Sequence, residues 1–128
     1  LNPDLTFQQG DMRALTDVPD RAWAAIAAFY SIIHIPRPQL AATLVELRRA
    51  LQPGGLLLIA FHIGDHDLHL DTWWDRPVSA DFVFYQPAEM MTALAIAGLA
   101  VEDVLEREPY PDVEHSSRRA YLLARRPS

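Results

Sequence analysis

The densest set of side chains able to do chemistry runs from His62 through Asp65, His66, Asp67 and His69 to Asp71. Imidazoles and carboxylates are ordinary ligands of a divalent metal, but this spacing matches no metal signature and such residues in a polar loop are more often solvated, so no metal site is expected. Glu114, His115 and Ser116 supply carboxylate, imidazole and hydroxyl. Side chains so close in sequence rarely converge as a triad, and no nucleophile elbow accompanies them, which argues against a hydrolase. Trp73-Trp74 can wall a pocket or pack a loop. Two quieter sets remain. Asp11 follows Gly10, where an aspartate forms turns by bonding its own backbone. His34 follows Tyr30-Ser31, and an imidazole with an ordinary pKa near 6.5 suits proton transfer at neutral pH.

The chain that must position these groups has 128 residues, half of them hydrophobic, with a net charge of -6. That length and apolar share describe one globular domain spanning 1–128, and exclude both a disordered chain and two full-size domains. An acidic surface repels phosphate backbones and anionic lipid, so neither nucleic acid nor a membrane is an expected partner. The absence of Cys removes disulfide scaffolds, zinc fingers and thiol nucleophiles, and fits a reducing compartment. No apolar run reaches the roughly 18 residues that cross a bilayer, and Leu1-Asn2-Pro3-Asp4 has neither the basic segment nor the apolar stretch of a signal peptide. The cytoplasm is the expected location. Without an initiator Met, and beginning directly before a strand-like stretch, the chain is expected to lack upstream residues.

Residues 5–9 alternate apolar with polar and stop at Gly10-Asp11, which predicts a short strand and a turn. Residues 13–20 form a linker closed by Pro19. From Trp23 to Ile35 propensity and context disagree: four alanines tip the local reading to a helix, although an unbroken apolar run between turns also describes a buried strand. Pro38 suits a first helical turn, and Leu40, Leu44, Leu47 and Leu51 build one apolar stripe of an amphipathic helix. Gln52-Pro53-Gly54-Gly55 should end that helix, and residues 56–61 form a buried strand. Residues 62–80 are read as a long loop. A second helix is predicted over 87–97, with Met90, Met91 and Leu94 inward, and strands over 99–107 and 119–125.

Four pieces in order, Phe7-Gln8-Gln9-Gly10-Asp11-Met12, Tyr30-Ser31-Ile32-Ile33-His34, Leu47 to Leu58 around Pro53-Gly54-Gly55, and Ala97-Gly98-Leu99, resemble the class I S-adenosylmethionine-dependent methyltransferases. The resemblance implies an α/β, Rossmann-like sheet that is incomplete, with the family's third to seventh strands present and the first two missing. It makes residues 24–30 the fourth strand despite their alanines. The Gly-rich turn after the family's first strand has no counterpart, because none of the five glycines forms a G-x-G cluster.

By resemblance, S-adenosylmethionine is the cofactor and a small molecule the methyl acceptor. Gly10, Asp11 and Met12 would face the adenine, the Asp11 carboxylate accepting from its amino group and the Met12 backbone N–H reaching a ring nitrogen. Phe29, Tyr30 and Ser31 would flank the sulfonium and acceptor, and Tyr30 could lay its ring against the sulfonium. Tyr30 and His34 are the candidate catalytic residues, His34 as a general base. The alternative is a non-catalytic methyltransferase-like remnant or interaction module that does not bind the cofactor. In the family's strand order, 3-2-1-4-5-7-6, loss of the first two strands bares one edge of the fourth, which predicts a homodimer paired along that edge.

Overall fold

The computed structural model describes residues 9–64, 68–73, 76–114 and 117–128, with residues 68–73 and 76–81 as backbone only. Strand β1 (Trp23–Phe29) leads through two single 3-10 turns, Ile32–His34 and Arg37–Gln39, into helix α1 (Leu40–Ala50). Strand β2 (Leu51–His62) follows and lies parallel to β1. A hairpin of β3 (Leu68–Trp73) and β4 (Arg76–Phe82) comes next, then helix α2 (Pro87–Ile96), β5 (Ala100–Arg107) and β6 (Arg119–Arg125). The main sheet has the order β1-β2-β6-β5, with β6 antiparallel to both neighbours. This is the 4-5-7-6 half of the expected order, and the fold is mixed α/β and Rossmann-like, in part. The ambiguous Trp23–Phe29 segment is a strand, because pairing with β2 satisfies its backbone and outweighs the helical preference of alanine.

Leucine spacing placed α1 correctly. Leu40, Leu44, Leu47 and Leu51 are all buried, packed with Leu57, Ile59 and Phe61 from one face of β2. Met90 and Leu94 of α2 join them, whereas Met91, expected inward, is 38% exposed, about a quarter turn round the helix from them. The other face of β2 is only half-covered at Leu56 and Leu58, so this strand is not buried on both sides as its unbroken apolar run implied.

Two further expectations are corrected. The Gln52–Gly55 stretch does not lie outside the strand but bulges within β2: Trp23 and Ala25 of β1 face Leu51 and Leu56, so two residues span five. Gly54 supplies the left-handed backbone this needs, at φ +80°. Residues 62–80 are not one loop, since β3 and β4 pair antiparallel from Leu68↔Phe82 to Trp73↔Arg76. Cross-strand hydrogen bonds there satisfy backbone that a loop would leave to water. The strand expected at residues 5–9 lies outside the described residues. Among those described, no helix is long and apolar enough to cross a membrane.

Candidate functional site

The C-terminal ends of β1 and β2 set the site. Tyr30 N–H donates to the Ala60 carbonyl at 2.9 Å, and Tyr30 then turns the chain out of the strand in a left-handed conformation, φ 53°. A bulky aromatic residue adopts that region only where its surroundings enforce it. Ile32 and Ile33 anchor the following 3-10 turn in the core, which leaves Ser31 and His34 facing outward. Opposite them lies the segment 10–20, tied to α1 by Arg49. That guanidinium donates to Glu46, to Asp20 and to the carbonyls of Leu15 and Val18.

Between the two lies an open cleft of about 530 Å³, inside the range of roughly 300–1,000 Å³ of small-molecule sites. Gly10, Asp11, Met12, Ser31 and His34 all line it, together with Arg13, Ile35 and Pro36. Five of the seven residues named from the sequence therefore meet in one place. Phe29 and Tyr30 do not line that cleft: Phe29 is 52% exposed with its ring edge-on to Tyr121, and Tyr30 turns across the end of the sheet.

The cleft is preorganised around an ion pair. Arg13 donates from its backbone N–H and Nε to Asp11 Oδ1 at 2.9 and 3.0 Å, and from a terminal nitrogen to Oδ2 at 2.8 Å. Hydrogen bonding from the Arg13 side chain, and then from its backbone, holds the Asp11 carboxyl down at about 2. An adenine amino group at this carboxylate would share it with Arg13. His34 is exposed, its ring centroid 5.2 Å from that of Phe82.

A second cluster spans the same end of the sheet. The register aligns Phe29, Ala60, Tyr121 and Leu105, and two residues further on the same face His62, Arg119 and Arg107. The Tyr30 and Tyr121 hydroxyls are 2.9 Å apart, and Arg107 Nε donates to the Tyr121 hydroxyl at 3.2 Å. Arg107 grips both oxygens of Glu114 at 2.9 Å, and Arg119 donates to the same carboxylate at 2.9 Å. The Arg119 guanidinium carbon stands 5.5 Å from the Tyr30 ring centroid, so a sulfonium at that ring would meet a cation already there. The His62 ring lies tilted between those of Tyr30 and Phe84, at 5.1 and 5.7 Å between centroids, and its Nδ1 is 2.9 Å from Ser117 Oγ.

From the sequence His62 is a metal candidate and Glu114 the carboxylate of an unconvincing triad, and nothing there marks Arg107, Arg119 or Tyr121 as partners of either. Their shared position depends on β6 entering between β2 and β5, which no local pattern announces. Of the metal candidates, Asp65, His66 and Asp67 lie outside the described residues, as do Trp74, His115, Ser116 and the side chains of His69, Asp71 and Trp73. Among the described residues no three His, Asp or Glu groups are placed to hold a metal ion.

The sheet order and the cleft at the strand ends define a partial Rossmann-like α/β fold. Residues 1–55 match the methyltransferase domain family. Over 92% of the chain the structure superposes on a SAM-dependent methyltransferase from Methanosarcina mazei, with TM-score 0.80 at 10% identity, covering 65% of that protein. The 1,6-didemethyltoxoflavin-N1-methyltransferase of Burkholderia thailandensis, solved with 1,6-didemethyltoxoflavin and S-adenosylhomocysteine, matches 91% of the chain and 48% of its own length, with TM-score 0.70 at 13% identity. The cyclase SpnF is equally similar, at TM-score 0.70 and 19% identity over 94% of this chain and 55% of that one. The chain thus spans about half to two thirds of these relatives. No curated protein matches the sequence. The family match covers the first 55 residues, and over the rest of the chain the likeness to these proteins is one of fold.

Proposed function

We propose that this chain is the adenine-binding and acceptor-facing part of an enzyme that transfers a methyl group from S-adenosylmethionine to a small molecule. The observation that carries this reading is the meeting of Gly10, Asp11, Met12, Ser31 and His34 in one cleft at the C-terminal end of β1, where open α/β sheets bind their ligands. In this reading Asp11 and the Met12 backbone hold the adenine, and Phe29, Tyr30 and Ser31 border the reacting methyl. His34 at the cleft wall takes a proton from the acceptor where the acceptor has one to lose. In-line displacement at the sulfonium is chiefly a matter of alignment, which a rigid strand end supplies. The acceptor is a small molecule, the enzyme works in the cytoplasm, and the chain pairs with a second copy of itself.

Adenosine tests the site directly, because it carries the part of the cofactor this cleft would hold. Titrated into isotope-labelled chain, it should shift the amide resonances of Gly10, Asp11, Met12 and Ser31 before any others. Shifts scattered over the surface, or none, would remove the cofactor reading. They would favour the non-catalytic module, which the Arg13 grip on Asp11 supports.

A further inference from the structure

The paired phenols at the end of the sheet have a proton to spare. Two hydroxyls carry two protons, and the 2.9 Å contact between Tyr30 and Tyr121 uses one. Arg107 donates to the Tyr121 oxygen and so takes up acceptor capacity without accepting anything. If Tyr30 donates to Tyr121, the Tyr121 proton points out of the pair; if Tyr121 donates, the Tyr30 proton does. Among the described residues no acceptor takes it. Both residues are only half-buried.

The surroundings make that O–H a donor rather than a base. Burial and the neighbouring Tyr121 hydroxyl push the Tyr30 phenol up from its ordinary value, and hydrogen bonding from Arg119 only partly opposes this. A hydroxyl whose oxygen accepts from a guanidinium is polarised and donates more strongly. The two cations are themselves fixed, since Arg107 and Arg119 share the Glu114 carboxylate. His62, held against both Tyr30 and Phe84, helps fix the Tyr30 ring in place.

We propose that the Tyr30–Tyr121 pair is an oxyanion-binding subsite that holds a carboxylate or carbonyl oxygen of a small molecule at the C-terminal edge of the sheet. Tyr30 directly precedes Ser31 of the adjacent cleft, so such a ligand would lie beside the cofactor. Its role as the methyl acceptor rests on the methyltransferase reading; its binding does not.

Benzoate is the probe, with benzyl alcohol as the same ring without the anion. Binding followed by NMR line shifts of the Tyr30 and Tyr121 rings should saturate for benzoate at millimolar concentration and be at least tenfold weaker for benzyl alcohol. Tyr30→Phe and Tyr121→Phe each leave one hydroxyl with its proton free, so each should bind benzoate within about threefold of the parent. The double variant should lose at least tenfold. Thermal melting of all three variants shows that they are folded. No saturable benzoate binding, equal binding of benzyl alcohol, or full loss in either folded single variant would overturn the proposal. Adenosine shifts are read on the same sample. Benzoate binding without them removes the cofactor and leaves the subsite; adenosine shifts without benzoate binding do the reverse.

Discussion

Arg13 closes on Asp11 from both sides of its carboxylate, through backbone and side chain, two residues along the chain. The residue that the family pattern assigns to adenine is therefore engaged before any ligand arrives. Both side chains are nearly half exposed, at 45% and 49%, so water screens the pair and its net contribution to stability is small. What it controls is the availability of the carboxylate.

Two variants separate these roles. Asp11→Ala should weaken adenosine binding several-fold, because the amino group loses its acceptor. Arg13→Ala should strengthen it or leave it unchanged, by freeing lone pairs on Asp11. Calorimetric titration measures both, and weaker binding in the Arg13 variant would show that the guanidinium itself touches the ligand. In the same experiment intact S-adenosylmethionine should bind more weakly than micromolar, since the chain has no G-x-G turn for the methionine end.

Glu114 gives the site its pH dependence. Hydrogen bonds from Arg107 first, then from the Tyr110 N–H, with the charge of Arg119 beside it, lower its carboxyl from 4.5 to about 2. A depressed carboxyl stabilises the folded state above its unfolded value, and that contribution is lost as pH falls from about 4.5 towards 2. Acid unfolding of the parent should therefore steepen in this window, and Glu114→Gln should flatten it while lowering stability at pH 7. Parallel curves for the two proteins would show that the shared carboxylate is not what holds Arg107 and Arg119.

Gly55 sits where the bulge of β2 brings two backbone carbonyls close. A Cβ there would sit 2.8 Å from the Gln52 carbonyl oxygen and 3.1 Å from that of Ala24. Neither oxygen belongs to a flexible side chain that can swing away, so Gly55→Ala should destabilise the fold by about 1–3 kcal/mol. Chemical denaturation measures it. An unchanged midpoint would mean that the bulge in β2 relaxes freely.

The parts of this fold that could be read in advance are those with a period. The leucine stripe of α1 and the apolar run of β6 each report their own geometry, and the segments Gly10-Asp11-Met12 and Ser31 to His34 hold the cleft residues that the sequence singled out. What stayed hidden depends on register. Tyr30 and Tyr121 are 91 residues apart and meet only because β6 inserts antiparallel beside β2. The β3–β4 hairpin was missed for a related reason, its polar and charged residues resembling a loop until a partner strand satisfies their backbone.

The final prediction concerns the two edges of the sheet. Strand β5 protects itself with Glu102, Asp103, Glu106 and Arg107, whose charges oppose pairing with another chain. Strand β1 has no such guard. Its sequence, Trp23-Ala24-Ala25-Ile26-Ala27-Ala28-Phe29, is uncharged throughout, and Trp23 and Phe29 are 38% and 52% exposed. Among the described residues only β2 pairs with it, so one row of backbone N–H and C=O groups faces outward. A second copy would satisfy that row and cover both aromatic rings, burying apolar area at roughly 25 cal/mol per Å² before the entropy of association is subtracted. Sedimentation equilibrium at micromolar concentration should give twice the 14.4 kDa of one chain. Ala25→Lys would place a charge on this edge and should return the chain to monomer without unfolding it. A parent that sediments as a monomer would mean that the edge is covered within the chain itself, with residues 5–9 the first candidate.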